Sequence, residues 1–384
     1  MNILTIIVCG IINLKICRGN LLQLNEGEVC TNFENNIPNY ICRRHQDCIA
    51  AQNIHQRKNI RLCSFVGLEP IVCCPGNNKI RNSSTSEPLK TKISYTASEM
   101  CHQYSAYYRK YNKKSIITEE LVKNEGDKVD IVGGTKTKPK EFPHMAMIGY
   151  GDSISNVHWD CGGSLISKEW VLTAAHCERS VTFGISRWVR LGELNYADET
   201  DDAKPEDYDI ILRVSHPDYR QTVSRYNDIA LYKLAKEVIF SEYILPICLN
   251  ADPSLVTNEL IATGWGQIED AGPASDDLLK VTLNFTPVNQ CNKTYSKNLK
   301  NMKLPNGILE MSQICAGSDE DGKDTCRGDS GGPLQVKNPI YEYGMFLQVG
   351  ITSFGQNCGF KDSPGVYTKV SYYTTWIEKV IWSM

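Results

Sequence analysis

No stretch of the 384-residue chain holds the ~20 consecutive apolar residues that a membrane-spanning helix needs. The apolar run Ile3 to Leu14, followed by Lys15, Cys17, Arg18 and Gly19, is too short for a span. It has the make-up of a secretory leader, expected to occupy residues 1–19, so the mature protein is expected outside the cell. A strong charge of either sign is missing too. The net charge of −3 gives no electrostatic reason to expect nucleic acid or a membrane surface as partner. The clustered N-terminal cysteines include no paired Cys-x-x-Cys knuckles, which disfavours zinc. Cysteine itself is plentiful at 16 residues, and setting aside Cys9 and Cys17 leaves an even 14. In an exported chain that argues for seven disulfides rather than thiol chemistry.

The stretch that organises the rest is Asp324-Thr325-Cys326-Arg327-Gly328-Asp329-Ser330-Gly331-Gly332-Pro333. Glycines on both sides let a serine sit on a tight loop with backbone N–H groups free to point at a reacting carbonyl oxygen. A hydroxyl is barely nucleophilic at neutral pH unless a base takes its proton and a third group orients that base. His176, in Thr173-Ala174-Ala175-His176-Cys177, and Asp228, in Asn227-Asp228-Ile229-Ala230-Leu231, lie upstream and supply both. Asp218, in His216-Pro217-Asp218-Tyr219, is the rival acid, but it sits in a Pro-adjacent turn without a following apolar strand. After Ile131 come short apolar runs punctuated by Gly, Pro and Asn, among them Met145 to Gly149, Gly163 to Ile166, Trp170 to Ala174 and Asp228 to Leu234. They read as strands of an all-β fold, closed by a terminal helix over Tyr372 to Ile381.

Together with Ile131-Val132-Gly133-Gly134, these segments resemble the chymotrypsin-like serine proteases over residues 131–384. The resemblance implies two six-stranded antiparallel β-barrels with the active site between them. It implies Ser330 as nucleophile, His176 as base, Asp228 as its orienting acid, and the Gly328 and Ser330 N–H groups as oxyanion hole. Asp324 would floor a pocket for Arg or Lys, Ser353 would hydrogen-bond the triad aspartate, and Gly355 and Gly365 would keep the pocket open. Phe354 stands where tryptophan is usual. Disulfides Cys161–Cys177, Cys291–Cys315 and Cys326–Cys358 are implied by the same route. One bridge that many vertebrate relatives carry is absent, since no cysteine follows Pro333-Leu334-Gln335.

Cys30, Cys42, Cys48, Cys63 and the doublet Cys73-Cys74 crowd into fewer than fifty residues, too few for a large core. Spacing alone leaves 15 pairings open. The pattern, ending in Cys73-Cys74-Pro75, resembles the clip domain of arthropod haemolymph proteases, which assigns residues 27–75 to a docking module. It implies Cys30–Cys73, Cys42–Cys63 and Cys48–Cys74. Residues 76–130 turn to Lys, Asn, Ser and Thr and read as a linker, with a short helix expected over residues 100–108. In similar proteases a linker cysteine pairs with the catalytic domain, which implies Cys101–Cys248.

Cleavage before Ile131 in such zymogens frees an ammonium that pairs with the aspartate preceding the nucleophile, here Asp329. The residue before the cut is Asp130, which a trypsin-like activator would not recognise. This resembles the subgroup of clip proteases, Persephone and Snake among them, whose activation residue is not basic. The expected function is a secreted serine endopeptidase zymogen of an immune, melanisation or patterning cascade, cutting after Arg or Lys. Its implied partners are protein substrates, above all other clip-domain zymogens, an upstream activating protease and a serpin-type inhibitor. The alternatives are a digestive or venom protease and a non-catalytic scaffold, the latter opposed by the presence of Ser330. No cofactor is required, though the acidic loop 193–209 has the oxygen ligands for calcium, which some relatives bind there. Asn82, Asn284 and Asn292 head glycosylation triplets.

Overall fold

The computed structural model describes residues 29–30, 40–44, 48, 62–66, 69–75, 95–119, 134–255, 259–267, 272–296, 303–318, 328–341, 344–355 and 363–382. The chain forms two units, residues 1–89 and 90–384.

In the first unit, strands β1 (Val29–Cys30), β2 (Tyr40–Arg44), β3 (Leu62–Val66) and β4 (Glu69–Pro75) form an antiparallel sheet in the order β1-β2-β4-β3. Its small core is largely sulfur, with Cys42, Cys63, Ile71 and Cys73 buried together. Disulfides join Cys42 to Cys63 and Cys48 to Cys74. Cys73 is also disulfide-bonded, while the side chain of Cys30 lies outside those described. Sequence separations of 21 and 26 residues across the two bridges correspond to roughly 3 kcal/mol each of chain entropy removed from the unfolded state. That offsets the shortage of apolar surface.

The second unit opens with helix α1 (Ala97–Glu119). Strands β5 (Thr135–Lys136), β6 (Met145–Tyr150), β7 (His158–Leu165), β8 (Trp170–Thr173), β9 (Arg179–Ser180), β10 (Gly184–Leu191), β11 (Glu206–Ser215) and β12 (Ala230–Leu234) follow. Six of them close a barrel in the order β6-β7-β8-β12-β11-β10. Next come β13 (Cys248–Leu249), β14 (Leu260–Gly264), β15 (Leu279–Thr286), helix α2 (Val288–Tyr295), β16 (Gln313–Gly317), β17 (Pro333–Lys337), β18 (Phe346–Phe354), β19 (Gly365–Lys369) and helix α3 (Val370–Ile381). The second barrel closes as β14-β15-β16-β19-β18-β17. Every pairing in both rings is antiparallel.

The period of two along a strand decides what each barrel buries. Along β15, Val281 and Leu283 are buried while Thr282 and Asn284 are exposed. Strand β6 is buried on both faces: Ala146, Ile148 and Tyr150 join one apolar cluster, Met145 and Met147 another. Helix α3 buries Val370, Tyr373, Thr374, Ile377 and Ile381, one stripe at helical spacing, and starts two residues before the expected boundary.

Two helices differ from the expectations. Helix α2 was not expected at all, and α1 runs 23 residues. The start of α1 is set locally: Thr96 and Glu99 form a capping box, with Thr96 N donating to Glu99 Oε2 at 2.7 Å and Glu99 N donating to Thr96 Oγ1 at 3.2 Å. No Gly or Pro interrupts the residues that follow. The helix is part of the unit's core. Ala97, Cys101, Tyr104 and Tyr108 are buried, and Cys101 is bonded to Cys248. Among the described residues, no helix is long and apolar enough to cross a membrane.

Candidate active site

His176 stands on a single 3₁₀ turn, Ala175–Glu178, that follows β8, and Cys177 beside it is bonded to Cys161 on β7. Asp228 precedes β12. To reach it the chain turns through Asn227 at φ 58°, a left-handed conformation that asparagine tolerates better than most residues. Tyr373 of α3 donates its hydroxyl to Asn227 Oδ1 at 2.9 Å, and Thr368 of β19 donates to the Asp228 carbonyl at 2.8 Å. These contacts aim a buried carboxylate at the histidine.

Asp228 Oδ2 lies 2.7 Å from His176 Nδ1, and Oδ1 accepts the His176 backbone N–H at 2.9 Å. Ser353 Oγ donates to Oδ2 at 2.5 Å. Burial opposes a charge on either partner, yet each supplies the other's counter-charge. For His176, the Asp228 charge and hydrogen bond prevail over burial and hold the imidazole pKa above its ordinary value. For Asp228, the His176 charge and the bonds from His176 and Ser353 prevail over burial and hold the carboxyl below its usual range. With Nδ1 engaged, Nε2 is the nitrogen left for proton exchange. Asp218 takes no part: its backbone N–H bonds His216 Nδ1 within its own turn.

The serine loop comes from the other barrel. Gly162 N donates to Ser330 O at 2.7 Å, and Gly331 N donates to Thr352 O at 2.8 Å. The Cys177 sulfur touches Ser330 O at 3.5 Å, so the histidine's turn and the serine's loop are in contact. Gly328 has φ +100°, and a Cβ there would approach Gly266 Cα to 2.8 Å, so this turn requires glycine. Among the described residues, the N–H groups of Gly328 and Ser330 donate to no protein acceptor. The Ser330 hydroxyl makes no hydrogen bond to the protein there either; such bonds commonly form only with substrate in place. The buried Asp329 turns the opposite way, accepting Gly266 N–H at 2.9 Å on Oδ1.

Ser353 is buried against the triad. A Cβ on Gly355 would enter open space, whereas one on Gly365 would meet the Tyr367 ring at 3.2 Å. Asp324, Cys326, Cys358, Asp130, Ile131 and Asn82 lie outside the described residues. Cys291 is bonded to Cys315. Asn284 is exposed on β15. Asn292 has its amide clamped on Ile308, accepting from N at 2.6 Å and donating to O at 3.2 Å, so a glycan there would displace a structural contact.

The acidic loop does not gather its carboxylates about one point. Arg190 takes Asp207 at 2.8 and 2.9 Å and the buried Glu193 at 3.3 Å. Asp202 takes Lys140 at 2.8 Å and the Tyr243 hydroxyl at 2.7 Å. Asp201 and Asp198 accept from Asn195 N and Thr200 N, and Glu206 accepts from Tyr208. Among the described residues, the only trio of groups within reach of one ion is Cys161, His176 and Cys177, whose two sulfurs share a disulfide. Protein cations and donors hold this loop, an arrangement that does not fit a calcium site.

Sequence reasoning missed Asn227, Thr368 and Tyr373, which are joined to the Asp228 turn by hydrogen bonds spanning 140 or more positions. It could have suspected Asn227, since asparagine is favoured at turns that need positive φ.

The profile of the family described as Trypsin matches residues 131–377. "Serine protease snk" of Drosophila melanogaster is 37% identical over 366 residues, spanning 93% of this chain and 79% of the relative. "Phenoloxidase-activating factor 1" of Holotrichia diomphalia is 36% identical over 332 residues, 82% of this chain and 81% of the relative. "CLIP domain-containing serine protease B4" of Anopheles gambiae is 40% identical over 268 residues, 66% and 70% of the two chains. On this likeness and on the two closed barrels, the chain is a trypsin-like serine endopeptidase and belongs to the clip-domain serine proteases of arthropods.

Proposed function

We propose that the chain is the secreted zymogen of a cascade endopeptidase that cuts after Arg or Lys and thereby activates another protease zymogen. The observation that carries this reading is the bonded series Ser353, Asp228, His176 beside the Gly328–Ser330 loop. Ser330 Oγ attacks the scissile carbonyl while His176 Nε2 takes its proton. Asp228 holds the imidazole in the tautomer with Nδ1–H and stabilises the imidazolium. The N–H groups of Gly328 and Ser330 receive the oxyanion, and losing one such donor typically costs about 10²- to 10³-fold in rate. The imidazolium then returns its proton to the leaving amine. Water, deprotonated by the same histidine, releases the acyl group and restores Ser330.

Asp324, six residues before the nucleophile, would meet the substrate's guanidinium or ammonium at the floor of the pocket. The cascade role is supported by relatives whose names declare it, among them the phenoloxidase-activating factor. The test is amidolysis of an Arg substrate by the cut chain. Activity should vanish with Ser330→Ala and fall by several orders with Asp324→Ser, which leaves the substrate cation buried and unpaired. Near-wild-type rates for Ser330→Ala would sink the triad. Incubation with candidate clip-domain zymogens, followed by sequencing of the new N-termini, would identify the natural substrate.

A further inference from the structure

His176 stands on a single 3₁₀ turn, Ala175–Glu178, a conformation with poor internal hydrogen-bond geometry whose last carbonyls find no partner within the turn. Side chains of the first barrel take those carbonyls. Tyr150, at the end of β6, donates its hydroxyl to Cys177 O at 2.6 Å, and Ser186, on β10, donates Oγ to Glu178 O at 3.2 Å. Both side chains are buried. Behind Ser186 stands Arg213 of the neighbouring strand β11, half-buried. Its Nε donates to Ser186 Oγ at 3.2 Å, and its Nη2 donates to Ser186 O. Burial opposes the guanidinium charge and holds its pKa below the ordinary value, while the Glu178 charge works the other way. Glu178 Oε2 in turn accepts from Ser215 Oγ at 2.8 Å.

Keeping a charged side chain there costs desolvation energy, on a strand that contributes no member of the triad. A guanidinium has donors and no acceptor, so a hydroxyl that accepts from it has to give its own proton elsewhere. At Ser186 that proton goes to Glu178 O. Arg213 thereby fixes a hydroxyl that would otherwise rotate, and each bond of the pair polarises the next. We propose that Arg213 is a positioning residue for proteolysis: acting through Ser186, it holds the carbonyl end of the turn that carries His176. Asp228 grips the same turn by the His176 N–H and Nδ1. The Cys161–Cys177 bridge fixes one side chain of the turn and leaves its peptide planes to these bonds. This assignment rests on the role given to His176 above.

The experiment follows the cut chain as it bonds a fluorophosphonate: Ser330 Oγ displaces fluoride from phosphorus and its proton goes to His176, with no demand on the substrate pocket. A rate constant does not depend on the fraction of folded protein. Arg213→Met should lower that rate constant on the order of ten-fold, short of the about 10²-fold that an ångström of misplacement can cost. The midpoint of its acid limb should move down, because an imidazole turned away from Asp228 loses the charge that raises its pKa. On an Arg amide, kcat should fall in the same proportion with KM unchanged. Arg213→Lys, which keeps a cation and a donor, should recover part of the loss. Ser186→Ala should match Arg213→Met, and the two together should lose no more than either, since they act in series. Ser186→Ala removes one hydroxyl and reads the same link should Arg213→Met fail to fold. A wild-type rate constant and midpoint in either single variant, whatever happens to Tm, overturn the assignment, and so do losses that add in the double variant. A wild type that bonds the fluorophosphonate but cuts no Arg amide overturns the Arg and Lys preference alone.

Discussion

Whether His176 can act as a base at a given pH depends on a contest between burial and the Asp228 carboxylate, and the carboxylate wins. The working base is the neutral imidazole, so activity falls as pH drops through its pKa. That pKa lies above the ordinary 6.5, and the acid limb of kcat/KM on an Arg amide should have its midpoint above pH 6.5. A midpoint below that value would mean that burial dominates. The same shifts link to stability with opposite signs. A raised His176 pKa stabilises the fold fully below the unfolded imidazole value, and this contribution is lost as pH rises through the folded one. A lowered Asp228 pKa stabilises above the ordinary carboxyl value of 3.8, and is lost as pH falls through the folded one. The pair therefore supports the fold most between these limits. His176, Asp228 and Ser330 were legible in the sequence because each sits in a short contiguous motif. Asn227, Thr368 and Tyr373 were not, because Thr368 bonds the Asp228 carbonyl and Tyr373 bonds the Asn227 side chain from 140 and 146 positions away.

Helix α1 shows what composition conceals. Its segment is polar enough to read as a linker, yet one face carries tyrosines that dock on the first barrel and its flanks. Tyr104 donates to Ile166 O at 2.7 Å, Tyr108 to Pro246 O at 3.2 Å and Tyr111 to Phe240 O at 3.0 Å. Ala97 N donates to Glu378 on α3 at 2.8 Å. The Thr96–Glu99 capping box was visible as a four-residue pattern and marks the start; the extent depends on docking partners some 60 to 280 positions away, which no local pattern reveals. The Cys101–Cys248 bridge is thus one of several ties between α1 and the catalytic unit. After cleavage before Ile131, Cys101→Ser should let the two chains separate in a denaturing gel run without reductant. In native gel filtration they should still travel together, held by the buried Tyr104 and Tyr108. Loss of the light chain under native conditions would show that the disulfide alone retains it.

At the scale of the molecule, the two barrels could be anticipated from the order of the motifs, while the closure of each ring rests on long-range pairs, such as β6 with β10 and β14 with β17. Activation acts on the whole catalytic unit. Asp130 offers a trypsin-like activator no basic side chain, and the nearest upstream lysine is Lys128. Trypsin should therefore cut after Lys128 and leave the protein inactive, because two extra residues displace the new ammonium from Asp329. Asp130→Arg should make the zymogen directly activatable by trypsin. Sequencing the heavy chain decides the matter: full activity with Val129 at its N-terminus would refute the requirement for Ile131.

The Asp329 carboxylate lies where two other residues would otherwise have side chains. A Cβ on Gly264 would fall on its Oδ1, and one on Gly266 would come within 2.6 Å of its carboxyl carbon. Every missense change of a glycine codon adds at least that one carbon, so neither codon has a conservative neighbour. An inherited amino-acid change at either position would act as a loss-of-function allele of the protease, although both lie on a different strand-and-loop segment from the nucleophile and more than sixty residues before it.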